Sequence, residues 1–220
     1  MEDKIINLES IKKAKADFRK AMKSEISAFA SDEQKVMEAS QKASALFLQS
    51  EFYKNASLIF AFISAGSEIP VMPVIQKALH DKKQVAVPRI ISGTNLMEFY
   101  FLENAALDVQ TEKGSYGILE PKQWLKKLDV NSISQNAVML LPGLAFSKDG
   151  KRLGKGKGFY DIFLERLLRE SKPFLLTGKK IGYCYSVQIQ NEIPFCENDV
   201  SVDYVISENG IINCKDFSFC

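Results

Sequence analysis

The chain has 220 residues, 46% of them hydrophobic and 25% charged, a balance that excludes disordered, collagenous and coiled-coil architectures. Its 29 basic and 27 acidic residues leave a formal net charge of +2, so nothing in the bulk charge calls for nucleic acid or an anionic membrane. No run reaches the ~20 apolar residues of a membrane span. The opening MEDKIINLES lacks the apolar stretch of a secretory signal. Cys184, Cys196, Cys214 and Cys220 form no CxxC pair, and one histidine (His80) does not supply a Cys/His zinc set. The four cysteines are read as reduced thiols and the chain as cytoplasmic.

Taken in order, Ile11, Ala14, Phe18, Met22, Ile26 and Phe29 step by three and four and predict an amphipathic helix over residues 10–30. Lys12, Lys13, Lys15, Arg19 and Lys23 fall on its other faces. Ser31 with Gln34 resembles a capping box, opening a second helix through Val36, Ala43 and Phe47 to about Ser50. SLIFAFIS (57–64) is an apolar run suited to a strand buried on both faces. Pro70 and Pro73 bracket a helix start, with Val74, Ile75, Ala78 and Leu79 as its apolar stripe and His80 exposed at its end. Residues 84–88 and 96–102 read as further strands. Strand, helix, strand predicts an α/β fold, with a mostly parallel central sheet flanked by helices on both faces in a single three-layer domain over 1–220.

AVMLL (137–141) is the next buried strand. After it, residues 147–158 form a polar, glycine-rich loop, and 159–170 a helix with Phe163, Leu164, Leu167 and Leu168 inward. Strands over 179–185 and 202–207 complete the pattern.

Between strand and helix, KDGKRLGKGKGFYD (148–161) alternates Arg152, Lys155 and Lys157 with four glycines. Glycines admit backbone N–H groups close to an anion, and the following helix start adds its dipole. A flexible basic surface loop competes with this reading, but the strand–loop–helix setting favours phosphate. The spacing matches neither GxxxxGK[ST] nor GxGxxG. Asp161, one turn into the helix, suits a Mg²⁺ beside phosphates.

The segment LLPGLAFSKDGKRLGKGKGFYDIFLERL (140–167) resembles the signature of 5-formyltetrahydrofolate cyclo-ligases, also called methenyltetrahydrofolate synthetases. Other blocks agree in order: Lys15 and Arg19 in a K-x-x-x-R spacing, Glu68 after SLIFAFIS, Gly117 to Pro121 as a G-I-x-E-P segment, and 181–207 with Asp199 and Asp203. The resemblance covers roughly 12–208 and leaves the tail after Ser207 outside it.

This resemblance implies ATP- and Mg²⁺-dependent closure of 5-formyltetrahydrofolate to 5,10-methenyltetrahydrofolate, through a phosphorylated formyl group. It implies ATP on Lys15, Arg19 and the run Arg152, Leu153, Gly154, Lys155, Gly156, Lys157, Gly158, Phe159, Tyr160. It implies folate near Arg19, Ile63, Glu68, Tyr116 and Lys155 through Phe159, and Mg²⁺ on Asp161 and Asp199. Arg152, Lys155 and Lys157 are the expected catalytic cations. The expected partners are these two small molecules, with no nucleic acid or membrane, and a monomeric chain. By spacing alone, Lys15 and Arg19 better suit a solvated helix face, Glu68 a helix-dipole charge, Asp199 and Asp203 loop acids, and Tyr116 and Trp124 simple packing; only the order of the blocks together favours the site. A related nucleotide- or sugar-phosphate enzyme using the loop on another acceptor is the alternative. Lys155 departs from the family pattern in place of Arg or an aromatic, Phe159 in place of Tyr, and Val71 where a Thr would cap a helix; Asn198 stands where many bacterial members have His and others share the Asn.

Overall fold

The structure, a computed structural model, describes residues 2–217 except 134, 135, 172, 173, 175, 176, 197 and 198, and for residues 2–8 the backbone alone. Asn198 and Cys220 lie outside the described residues; Cys184 and Cys196 are in no disulfide among the described residues.

Helix α1 (Glu2–Ala30) and helix α2 (Glu33–Gln49) follow the apolar periodicity, with two departures. Asp32, not Ser31, is the N-cap of α2: its carboxylate accepts from Lys35 N, while Ser31 Oγ turns back to Ala28 O. A carboxylate both satisfies an orphan N–H and meets the positive helix end, so it wins over the hydroxyl. On α1, Ala14 is exposed whereas Lys15 is buried and Arg19 half-buried, correcting their placement on solvated faces. A short helix, α3 (Glu51–Asn55), then leads into β1 (Leu58–Phe60).

The 57–64 run is a strand only over these three residues. Ala61 N still reaches Ala86 O, but beyond it local side-chain bonds replace sheet pairing. Ser64 Oγ donates to Ile69 O and accepts from Val71 N, and Glu68 Oε2 accepts from Ala65 N. These bonds close the 64–71 segment on itself, which takes the chain out of the sheet. Helix α4 (Met72–His80) follows with proline in its first turn and an uncapped Val71 before it.

Next come β2 (Gln84–Ile90), β3 (Met97–Phe101), a short α5 (Leu107–Gln110), and the hairpin β4 (Thr111–Lys113) and β5 (Leu119–Pro121). Then follow β6 (Ala137–Leu141), β7 (Ala145–Ser147), β8 (Arg152–Leu153), α6 (Phe159–Glu170), β9 (Lys179–Tyr183), β10 (Ile189–Gln190), β11 (Tyr204–Ser207) and β12 (Gly210–Asn213). The central sheet runs β12-β11-β9-β6-β1-β2-β3. Its five inner strands are parallel and its two edges, β3 and β12, antiparallel.

Alternate strand residues feed opposite faces, as a period of two requires. Ile59, Val85, Val138 and Ile181 meet Met22, Phe47, Val74 and Ile75 from α1, α2 and α4. Leu58, Phe60, Met139 and Val205 meet Phe163, Leu164 and Leu167 of α6. The expected helices on both faces of a mostly parallel sheet are present. Inside the polar 147–158 stretch, β8 pairs with β7 in a small sheet with β10. No helix among the described residues is long and apolar enough to cross a membrane.

Candidate active site

The strand order reverses between β1 and β6: the chain proceeds from β1 to β2 and β3 on one side, and from β6 to β9 and β11 on the other. Open parallel sheets leave a crevice beyond the carboxyl ends of the strands at such a point. A cavity of about 440 Å³ lies there. Phe62, Ile63 and Glu68, which follow β1, and Pro142, which follows β6, line it. The segment Gly154–Asp161 supplies another wall, with Arg19, Arg152 and Asp199 beside it.

The loop's shape follows from its glycines. Gly156 has φ +97 and lies against the Arg19 guanidinium, where a Cβ would stand 3.3 Å from it. Gly158, at φ +74, is the N-cap of α6 and offers no side chain to its N–H groups. Those first-turn donors therefore remain available to an anion. Arg19 Nε donates to Gly154 O at 3.0 Å, tying α1 to the loop.

Arg152, with a side chain only 2% exposed, donates from NH2 to Asp161 Oδ1 at 2.5 Å and from NH1 to Pro142 O at 3.2 Å. Its Nε, also buried, has no partner among the described residues. Tyr160 lies beneath this guanidinium at 5.8 Å from ring centre. Burial, helped by the negative Glu68, pushes the Tyr160 hydroxyl well above its ordinary value.

Asp161 also accepts from Val200 N, which places it beside the residue preceding it, Asp199. Lys15, 9% exposed, reaches Asp199 Oδ2 at 2.5 Å and Cys196 Sγ at 3.0 Å. Burial opposes ionisation of both groups, but the pairing outweighs it: Asp199 is held below the usual carboxylate range and Lys15 above its own. Each acid uses one oxygen for its cation. Asp161 Oδ2 and Asp199 Oδ1 have no partner among the described residues. Two carboxylates beside this glycine-rich loop supply oxygen donors of the kind Mg²⁺ takes, an ion that fills its remaining positions with water and other oxygens. No cluster of three or more His, Cys, Asp or Glu that could hold a metal occurs among the described residues.

The other end of the cavity is apolar, walled by Pro88, Ile90, Met97, Ile118 and Leu119. Lys155 Nζ sits 2.6 Å from Glu68 Oε1. Lys157 Nζ stands 5.3 Å above the Tyr116 ring, which lies 6.3 Å from Phe159. Tyr116 is 66% exposed and has φ +56, a conformation that costs a bulky residue about 1–3 kcal/mol.

Of the residues singled out from sequence, Arg19, Ile63, Glu68, Tyr116, Arg152, Gly154 through Tyr160, Asp161 and Asp199 meet at this cavity. Lys15 stands behind Asp199 rather than on the wall. Leu153 is buried in the core, its carbonyl accepting from Leu144 N. Glu120 and Ile118 lie in the G-I-x-E-P segment and Pro142 in the PG turn, so a sequence signal existed for them. Pro88, Ile90 and Met97 carry none, because antiparallel pairing of β2 with β3 brings them to the wall.

The sequence model of the 5-formyltetrahydrofolate cyclo-ligase family matches residues 11–208. The chain belongs to this family. A mouse 5-formyltetrahydrofolate cyclo-ligase is 31% identical over 71% of the chain and 76% of the mouse protein. The probable 5-formyltetrahydrofolate cyclo-ligase of Caenorhabditis elegans is 28% identical over 93% of the chain and 98% of the worm protein. The NMR structure of Aquifex aeolicus 5,10-methenyltetrahydrofolate synthetase superposes with a TM-score of 0.71 at 24% identity, over 92% and 93% of the two chains. That structure shares the three-layer fold described above.

Proposed function

We propose that the chain closes 5-formyltetrahydrofolate to 5,10-methenyltetrahydrofolate at the expense of ATP, releasing ADP and phosphate. The observation that carries this reading is the reach of one loop to both ends of one cavity. Gly154–Gly158 joins Arg152 and the N-terminus of α6 at the charged end, while Lys155 extends to Glu68 and Lys157 to Tyr116, which adjoins the apolar Ile118 and Leu119. No cysteine or histidine lines the cavity among the described residues. Phosphoryl transfer needs positioning and charge neutralisation rather than a protein nucleophile.

In this reading the polyphosphate lies along Arg152–Tyr160, met by the loop N–H groups and by Arg19, Arg152, Lys155 and Lys157. Lys15 acts from behind, keeping Asp199 ionised. Asp161 and Asp199 hold Mg²⁺, which when bound neutralises phosphate charge and makes the terminal phosphoryl group more electrophilic. Ile63, Glu68, Tyr116 and Phe159 hold the folate with its formyl group toward Lys155 and Lys157.

The formyl oxygen takes the terminal phosphoryl group and ADP leaves. The N10 lone pair then attacks the activated carbon, N10 gives up its proton, and the C–O bond breaks. The former formyl oxygen departs on phosphate. Lys157, Arg152 and Lys155 stabilise the negative charge that builds on the phosphoryl oxygens in both steps. Work in the cytoplasm as a monomer is part of the same proposal.

The test is the absorbance of the methenyl product on mixing protein, 5-formyltetrahydrofolate, ATP and Mg²⁺. A rise that requires both nucleotide and metal is expected. No rise from a protein that still binds ATP would overturn the folate assignment.

A further inference from the structure

The turn that carries Tyr116 is strained and yet exposed, so something beneath it must hold it. Ser115, Tyr116, Gly117 and Ile118 form a tight turn in which Tyr116 (φ +56) and Gly117 (φ +72) are both left-handed, closed by Ile118 N donating to Ser115 O at 3.2 Å. Two consecutive positive φ values define the type I′ turn, whose first central position ordinarily takes Asn, Asp or Gly. A tyrosine is a poor choice for it unless its ring is wanted there.

Glu120 lies directly under this turn. It is 3% exposed, lines the cavity, and has no cation within ion-pair distance among the described residues. Its Oε1 accepts from Ser115 N at 3.2 Å and from Ile90 N at 3.3 Å. One oxygen thus links the residue before Tyr116 to the end of central strand β2. The carboxylate fills the space over Gly114, where any Cβ would come within 2.2 Å of it. Gly114 in turn closes the loop, its N–H donating to Ile118 O at 2.8 Å.

We propose that Glu120 is a positioning residue for the folate end of the site: it clamps the 114–118 turn to the sheet and so fixes the Tyr116 ring opposite Phe159. The role rests on the proposed folate reading and deepens it. It needs an acceptor oxygen at this position, not a negative charge, because both partners are neutral backbone N–H groups. Glutamine can supply that oxygen and alanine cannot. Gly114→Ala should imitate the loss of the clamp, since the new methyl displaces the carboxylate.

The experiment compares Glu120→Ala, Glu120→Gln and Gly114→Ala with the unaltered chain. For Glu120→Ala and Gly114→Ala, KM for 5-formyltetrahydrofolate should rise about tenfold, the loss of roughly one hydrogen bond's worth of positioning. KM for ATP and kcat should stay within about twofold of the unaltered chain in both. Glu120→Gln should behave as the unaltered chain on every constant. In a Tyr116→Ala background, Glu120→Ala should add little, because the clamp then has nothing to position.

Amide hydrogen exchange of residues 114–118 should accelerate in Glu120→Ala and stay slow in Glu120→Gln, while α6 stays protected in both. A Gln variant as defective as Ala, additive effects with Tyr116→Ala, or unchanged exchange in Glu120→Ala would each overturn the proposal. Absence of methenyl formation by the unaltered chain would instead overturn the folate reading, and the exchange measurement separates the two failures.

Discussion

Buried Arg152 and half-buried Asp161 form an ion pair on the wall of the cavity, 2.5 Å apart, and among the described residues the arginine Nε has no partner. A guanidinium this enclosed is held in one orientation by Asp161 and Pro142 O before any ligand arrives. Arg152→Ala should cost about 1.5–3 kcal/mol of stability, because the half-buried Asp161 and Pro142 O both lose their charged donor, and should abolish turnover. Arg152→Lys keeps the charge but not the fork. We expect a folded protein in which the ATP KM rises roughly ten- to hundredfold, the equivalent of one charge-assisted hydrogen bond of about 1.5–3 kcal/mol. Thermal melting and initial rates check both; an Arg152→Lys variant with unchanged ATP KM would remove Arg152 from the nucleotide site.

The Lys15–Asp199 pair makes a pH prediction. Asp199 has a lowered folded-state pKa, so its contribution is present above the unfolded value near 3.9 and is lost as pH falls through the lower folded value. Lys15 has a raised one, so its contribution is present below 10.5 and is lost as pH rises through the higher folded value. The pair therefore holds throughout the neutral range. In Lys15→Met, the partly buried Asp199 loses its cation and its pKa rises. The acid limb of kcat/KM should then move to higher pH. A limb that stays in place while the ATP KM rises would instead put Lys15 in direct contact with nucleotide.

Phe60 tests the frame rather than the chemistry. Its ring lies 5.1 Å from Phe99, 6.3 Å from Phe163 and 6.2 Å from Phe174, joining the sheet to the α6 face. Phe60→Ala should lower stability by about 3–5 kcal/mol while leaving both KM values unchanged at a temperature where the variant is folded. Chemical denaturation with steady-state rates decides it.

What the sequence disclosed, and what it hid, divides along physical lines. Periodicity is a property of burial, so α2, α4, α6 and the central strands β2, β6, β9 and β11 were readable from their apolar spacing. The loop from Gly154 to Gly158 stood out because glycine and lysine alternate between a buried strand and a helix, a setting that separates it from an ordinary basic surface loop. Lys15 misled for the same reason: a lysine at helical spacing looks solvated, and only the distant Asp199 and Cys196 make its burial tolerable. The early end of β1 was hidden because Ser64 and Glu68 side chains take over the backbone bonds there. The tail strand β12 was hidden because Gly210–Asn213 carries only two apolar residues, Ile211 and Ile212, side by side rather than alternating. The apolar wall at Pro88, Ile90 and Met97 arises from strand pairing across the sheet edge, which no local pattern records.

Lys155 and Glu68 face each other across the cavity at 2.6 Å, and here exposure decides what the contact is for. The lysine side chain is 46% exposed, and a pair so open to water contributes only about 0–1 kcal/mol to stability. Glu68, by contrast, is fixed by Ala65 N and mostly enclosed. A contact worth so little to the fold, placed between two walls of the cavity, is one that a ligand can open without destabilising the chain. Lys155→Ala should therefore leave Tm within about 2 °C, as expected for a loss under ~1 kcal/mol. The same variant should raise KM for 5-formyltetrahydrofolate and lower kcat. Glu68→Gln should keep the Ala65 hydrogen bond and the fold, raise the folate KM, and leave the ATP KM alone. Melting curves and two-substrate kinetics on the single and double variants separate the cases. A drop of Tm in Lys155→Ala as large as that in Arg152→Ala would make the contact structural instead.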